Sequence, residues 1–258
     1  MNPRLADYEY NKYKNEFIKY LRGKNLSNGY LNDLINAFSK MEIKLNKEHL
    51  SLIKDRNKQI VMRHYIEFLK TNDVISEEEA NQLKGYLKLR QSKPDEFIPS
   101  DEIVLNVYNN IKNDRVKIIY KILCYSGLRI TEAVKFIREF DKTKLIINES
   151  FVRYPLNYNR GKKNSYYVYL PKEFGMSLHR MYIHEDTVTH YISKAGLNPK
   201  YLRKWFYNFL IFNNVPESIA DYIEGRSPLS VGSMHYLGKV KQADYWYDKV
   251  VINLNKFF

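Results

Sequence analysis

Along the amino-terminal third of the chain, apolar residues recur every three or four positions, the period that gathers side chains on one face of an α-helix. From Asp7 to Arg22 the stripe is Tyr13, Phe17, Ile18 and Leu21, with Lys12, Lys14 and Lys19 on the other sides. Ser27 can cap a second helix carrying Tyr30, Leu31, Leu34, Ile35 and Phe38. After Asn46 the pattern predicts a short helix with Leu50, Leu52 and Ile53, then a longer one with Ile60, Val61, Tyr65, Phe68 and Leu69. Ser76-Glu77-Glu78-Glu79 has the form of a capping box and opens a helix bearing Ala80, Leu83, Tyr86 and Leu87. Across residues 92–100, Pro94 and Pro99 bar any helix and mark a linker.

Beyond the linker, Ser100-Asp101 caps a helix with Ile103, Val104, Val107 and Ile111. An apolar helix from Arg115 to Tyr125 stops at Ser126-Gly127, and another begins around Thr131. At Lys144 the period shortens. Leu145–Ile147, Phe151–Tyr154 and Tyr166–Leu170 are rich in β-branched and aromatic residues and predict strands, with Arg160–Ser165 as the turn between the last two. Asp186 is positioned to cap a helix from Thr187 to Lys194, and Pro199 opens a helix whose apolar face is Leu202, Trp205, Phe206, Phe209 and Leu210. Gly225 punctuates the next helix. The last stripe, Val240, Ala243, Trp246, Tyr247, Val250 and Leu254, makes Tyr245 and Tyr247 packing residues of an amphipathic helix that needs a groove, in its own domain or a neighbour's. The expected fold class is mainly α with a small antiparallel β-sheet: a helical domain over 1–91, a linker over 92–100 and a second domain over 101–258.

Charge narrows the partner. The 258 residues carry a formal net charge of +13, which points to a polyanion, nucleic acid first among them. The one cysteine, Cys124, lies in an apolar helix and excludes an intramolecular disulfide or a multi-cysteine metal site. No apolar run is long enough to span a membrane, and the amino terminus lacks a signal-peptide core, so a cytoplasmic protein with no membrane partner is expected.

Several cations stand in settings unlike a solvated face. Arg129 follows Gly127-Leu128, with Glu132 three residues on; on a surface this would be an ordinary helix pair, but Leu128, Ile130 and Val134 argue for a buried charge needing an anionic partner. Lys200 and Arg203, three apart, come off the first turns of one helix side by side, with Lys204 next to them. Arg226 follows Gly225 where the chain must turn. Two arginines and a lysine with hydrophobic neighbours suggest a phosphate pocket. Lys162 and Lys163 sit at a hairpin tip, where a basic turn either solubilises or reaches a phosphate. His179, His184 and His190 lack the spacing of a zinc site.

Taken in order, Gly127-Leu128-Arg129-Ile130-Thr131-Glu132, Arg160-Gly161-Lys162-Lys163, Lys200-x-x-Arg203, Gly225-Arg226 and His235-Tyr236 resemble the catalytic half of the tyrosine recombinase (integrase) family. The resemblance spans about residues 100–240 closely and the earlier residues in architecture only. Lys200, where many relatives have histidine, together with Arg226 resembles the pattern of archaeal viral and plasmid integrases. The resemblance implies a site-specific DNA recombinase with a helical core-binding domain and a catalytic domain. Tyr236 would attack a phosphodiester to form a 3′-phosphotyrosyl bond, Arg129, Arg203 and Arg226 would clamp the phosphate, and Lys200 would bind it. Lys163, with Lys162 as the fallback, would protonate the leaving oxygen, and Glu132 and His235 would support the site. It implies double-stranded DNA as partner, no metal or nucleotide cofactor, and a tetramer on DNA in which the C-terminal helix is exchanged. A type IB topoisomerase-like enzyme and a non-catalytic helical DNA-binding protein are the alternatives.

Overall fold

The computed structural model describes residues 11–26, 28–89, 95–160, 163–226 and 238–258. They form two compact units, Met1–Pro94 and Asp95–Phe258.

The first unit is helical: α1 (Lys14–Arg22), α2 (Asn28–Ser39), α3 (Lys47–Leu52), α4 (Arg56–Thr71) and α5 (Glu77–Tyr86). Its centre is aromatic. Phe17 of α1 meets Phe38 of α2 edge-on at 4.7 Å and Tyr65 of α4 at 4.9 Å, and all three are fully buried. Caps fix the helix starts: Asn46 accepts from the His49 N–H, Asp55 from Lys58 and Ser76 from Glu79. Arg63 of α4 donates to the carbonyls of Lys84 and Leu87, closing the otherwise unpaired end of α5. Leu52, expected on the apolar face of α3, is instead exposed, because that helix ends there and Ile53 takes the inward position. Ser27 lies outside the described residues.

The second unit begins with a segment read from sequence as linker. Its residues 95–100 lie against the helix that starts at Lys200: the Phe97 ring meets Tyr201 edge-on at 4.8 Å, and Asp95 holds two lysines of that helix. Then come α6 (Asp101–Asn110), α7 (Asp114–Ser126), α8 (Ile130–Arg138), a three-stranded antiparallel sheet, α9 (Lys172–Ser177), α10 (Glu185–Lys194), α11 (Lys200–Phe212), α12 (Glu217–Glu224) and α13 (Lys239–Leu254). In the sheet, β1 (Ile146–Ile147) pairs with β2 (Phe151–Arg160), which pairs with β3 (Lys163–Pro171). The two long strands reach further than predicted, since Arg160 opposes Lys163 in register; Lys163, Asn164 and Ser165 are strand residues rather than turn. A register irregularity falls between Pro155 and Tyr158, where proline cannot donate to the ladder. Asp186 is not a cap: α10 starts two residues earlier than expected, with His184 at the N-cap and Asp186 inside the first turn, where its charge still suits the helix dipole.

The core of this unit is built on α7, whose Ile119, Tyr120, Ile122, Leu123, Cys124 and Tyr125 are all buried. Helix α13 docks on its own unit. Tyr247 is fully buried and donates its hydroxyl to the Tyr125 carbonyl at 2.9 Å, while Asp244 pairs with Arg153 and Asp248 accepts from Ser150, both on or beside β2. Tyr245, expected to pack, is exposed under the Lys249 ammonium. No described helix is long and apolar enough to cross a membrane.

Candidate active site

The site starts where α7 ends. Gly127 takes a left-handed φ of 62°, and a Cβ there would lie 2.5 Å from Phe206 Cδ1 and 2.7 Å from a carboxylate oxygen of Glu224. Only glycine fits a turn wedged so closely between α11 and the end of α12. Leu128 is buried, and Arg129 follows in an extended conformation as the N-cap of α8. Glu132, in the first turn, accepts from the Arg129 N–H at 3.0 Å and from its Nη1 at 2.8 Å. One carboxylate thus satisfies a helix-start donor and aims a guanidinium.

Arg203 arrives from α11. Its Nη1 donates to the Gly127 carbonyl at 2.6 Å and its Nε faces Glu224 at 3.4 Å. Its Nη2 is buried and has no hydrogen-bond partner among the described residues. Burial lowers its pKa; Glu224 opposes that shift, and the charges of Arg129 and Arg226 add to it, so the three guanidiniums share one electrostatic neighbourhood. Arg226 follows Gly225, which ends α12 in a left-handed turn. Arg226 Nε donates to Glu224 at 2.6 Å, and its guanidinium lies 3.9 Å from the centre of the Tyr207 ring. Glu224 is fully buried, and loss of solvent pushes its carboxyl up to about 7 despite Arg203 and Arg226 beside it.

Arg129, Glu132, Arg203 and Arg226 are therefore brought together from three separate stretches of chain. Lys200 takes a different route. It is more than half exposed, its ammonium pairs with Asp95 at 2.9 Å and lies 4.6 Å from the Tyr201 ring centre. A largely covered Arg203 and an exposed Lys200 at a spacing of three show that the two leave the helix at its boundary with solvent. Lys163 is placed by its backbone in β3, next to the tip; Lys162, His235 and Tyr236 lie outside the described residues. Among the described residues, no three His, Cys, Asp or Glu side chains are grouped to hold a metal ion.

Sequence reading missed Glu224 and Tyr207. Glu224 follows Ile223 and stands four residues after Ala220, both buried, so the apolar stripe of α12 does place it inward. The tyrosine beside the cluster is no better prepared to react: burial pushes Tyr207 up to about 12, which leaves its phenol less able to ionise for attack.

Converging guanidiniums with one buried donor unspent form a receptacle for a tetrahedral or trigonal-bipyramidal oxyanion. The archaeal phage integrase family matches residues 96–253, which contain all of these side chains. Among solved structures, a lambda integrase tetramer bound to a Holliday junction superposes with a TM-score of 0.62 at 10% identity, covering 85% of this chain and 78% of that one. A lambda integrase (75–356) dimer bound to a COC′ core site gives 0.60 at 10% identity, covering 84% of this chain and 94% of that one. At such identities these likenesses speak to fold alone. No curated protein matches in sequence. With well over half its length in that family's match and the motif arginines gathered in one cluster, the chain belongs to the archaeal phage integrases, a branch of the tyrosine recombinases.

Proposed function

We propose that this integrase recombines DNA at a specific site by breaking and rejoining strands through a 3′-phosphotyrosyl intermediate. The phenolic oxygen of Tyr236 bonds to the phosphorus and gives up its proton as it attacks. The bond to the 5′ oxygen breaks, and the Lys163 ammonium protonates that oxygen; rejoining runs the steps backwards. Arg129, Arg203 and Arg226 meet the charge that builds on the non-bridging oxygens, with Lys200 as an outer phosphate contact and Glu132 holding Arg129. Guanidiniums stay charged at any working pH, so fixed arginines supply the role a divalent metal has elsewhere, and the phosphotyrosyl bond keeps the energy of the broken linkage. The observation that carries this reading is the buried, unpartnered Nη2 of Arg203, set among two other arginines in a site whose own carboxylates leave it unspent.

The helical unit over residues 1–91 adds basic surface for the duplex, and the catalytic unit over 101–258 does the chemistry. Four copies act on two duplexes, in support of which stands the lambda integrase tetramer on a Holliday junction. Helix α13, which here fills its own unit through Tyr247 and Leu254, presents an apolar face that a neighbour's equivalent groove would accept. The test is a nicked duplex bearing a site selected from a random library. Wild type leaves a denaturant-resistant protein–DNA band, with or without a chelator, and Tyr236→Phe leaves none. A band that persists in Tyr236→Phe removes Tyr236 as nucleophile, and a chelator that abolishes the wild-type band removes the metal-independent route.

A further inference from the structure

We propose that Glu224 is a positioning residue of the arginine clamp, and that its ionised carboxylate locks Arg203 and Arg226 into the orientation that receives the phosphate. The inference rests on the recombinase reading above.

Three observations carry it. First, Glu224 is the one fully buried acidic side chain among the described residues, at the last position of α12, and one of its oxygens serves two guanidiniums at once: Arg226 Nε at 2.6 Å and Arg203 Nε at 3.4 Å. With Nε on Glu224 and Nη1 on the Gly127 carbonyl, Arg203 keeps Nη2 for a ligand, and that atom is buried and unpartnered among the described residues. Second, its other oxygen, Oε1, is buried with no partner among the described residues and faces Gly127, the residue whose carbonyl also anchors Arg203. Glu224, Gly127 and Arg203 thus form one closed contact, and a shift of the carboxylate displaces the arginine. Third, the charged groups around Glu224 are few: Arg203 from α11, Arg226 after α12, and Asp221 a turn earlier on α12, with Arg129 and Glu132 of α8 beyond Arg203. Burial and Asp221 favour the protonated form, the arginines favour the carboxylate, and the balance falls at about 7. The neutral acid is the weaker acceptor for a guanidinium, so the clamp is firm above that pH and slack below it.

The experiment compares wild type with Glu224→Gln, which keeps the shape and removes the ionisation. Wild-type covalent-complex formation on the nicked duplex is expected to quicken as pH rises through about 7, whereas the variant is on the order of 10–100-fold slower at pH 8 and lacks that step. Nitrogen-15 spectra of the full chain without DNA supply a readout independent of chemistry. The Nε–H signals of Arg203 and Arg226 are expected to titrate with the Glu224 carboxyl in wild type and to stay flat in the variant. A variant with the wild-type rate and the same pH step, or wild-type Nε–H signals indifferent to pH between 6 and 8, would overturn the proposal. Should wild type form no covalent complex at any pH, the recombinase reading falls, while the arginine spectra still decide whether Glu224 holds the two guanidiniums.

Discussion

The two units treat buried polarity in opposite ways. In the helical unit the one buried polar side chain among the described residues, Gln59, is satisfied locally, its amide donating to the Ile53 carbonyl at 2.6 Å. No buried side-chain nitrogen or oxygen described there lacks a partner. In the integrase unit such atoms occur on Arg138, Asn148, Arg153, Ser165, Tyr169, Arg203, Glu224 and Asp244. Natural folds pair nearly all such groups, so those left over mark places where something besides folding set the sequence. Two clusters stand out: Arg203 with Glu224 at the clamp, and Arg153 and Tyr169 of the sheet with Asp244 of α13. The first unit is completed by its own core. The second leaves several buried polar atoms unpaired among its described residues.

The contrast is broken most severely where the first unit is weakest to change. Phe17 is fully buried against Phe38 and Tyr65, so Phe17→Ala is expected to cost about 3–5 kcal/mol in urea denaturation. The arginine Nε–H spectrum of the clamp should stay as in wild type. A cost under about 1 kcal/mol would mean that this aromatic centre is not what holds the unit together.

Next in size is the clamp. Arg203→Ala is expected to slow covalent-complex formation by about 10²–10³-fold, the typical loss for one preorganised oxyanion donor, while duplex affinity in a filter-binding assay changes only a few-fold. Equal losses in both assays would make Arg203 a binding residue and dissolve the contrast between spent and unspent donors.

The same contrast explains which features are legible in the amino-acid sequence. The helical unit is legible because most of its stripe residues pack: Phe17, Leu34, Phe38, Tyr65 and Leu83 are each at the position their spacing gives them, and each is buried, while Tyr30 and Leu52 are exposed. Arg129 was legible because Gly127-Leu128-Arg129 announces a turn into a helix with a carboxylate three residues on. Glu224 was missed although the stripe of Ala220 and Ile223 turns it inward, since a glutamate at a helix end beside Gly-Arg resembles a solvated charge, and its contacts with Gly127 and Arg203 are tertiary. Lys200 was half legible. Its spacing from Arg203 is real, but spacing cannot say that Asp95, more than a hundred residues earlier in the chain, holds the ammonium.

A smaller effect comes from the proton on Glu224. Its carboxyl is raised from the ordinary 4.5 to about 7 in the folded chain, so the folded state binds the proton more tightly than the unfolded state. The stability this group contributes is full below about 4.5, falls as pH rises, and is gone above about 7, a change of up to about 3 kcal/mol. Glu224→Gln lacks that dependence. The difference in melting temperature, variant minus wild type, is therefore expected to rise between pH 5 and 8. A difference that stays level would place the carboxyl near its ordinary value and weaken the case for an unspent buried acid.

The smallest effect separates Lys200 from the arginines. Its pair with Asp95 is exposed, and each partner favours the other's charged form: the ammonium is raised, and the carboxyl is held well below the usual range, by their mutual hydrogen bond. Exposed pairs of this kind contribute little to folding. Asp95→Asn is expected to leave the melting temperature unchanged while freeing an ammonium to meet DNA. Because that ammonium is solvated in competition, Lys200→Ala should lower duplex affinity by no more than about tenfold and make binding less sensitive to salt by roughly one phosphate contact. Its effect on cleavage should fall well short of that of Arg203→Ala. If Lys200→Ala instead halts cleavage as completely, the ammonium must leave Asp95 when DNA arrives and join the guanidiniums at the reacting phosphorus. The boundary between buried clamp and exposed rim would then lie at Asp95 rather than between Lys200 and Arg203.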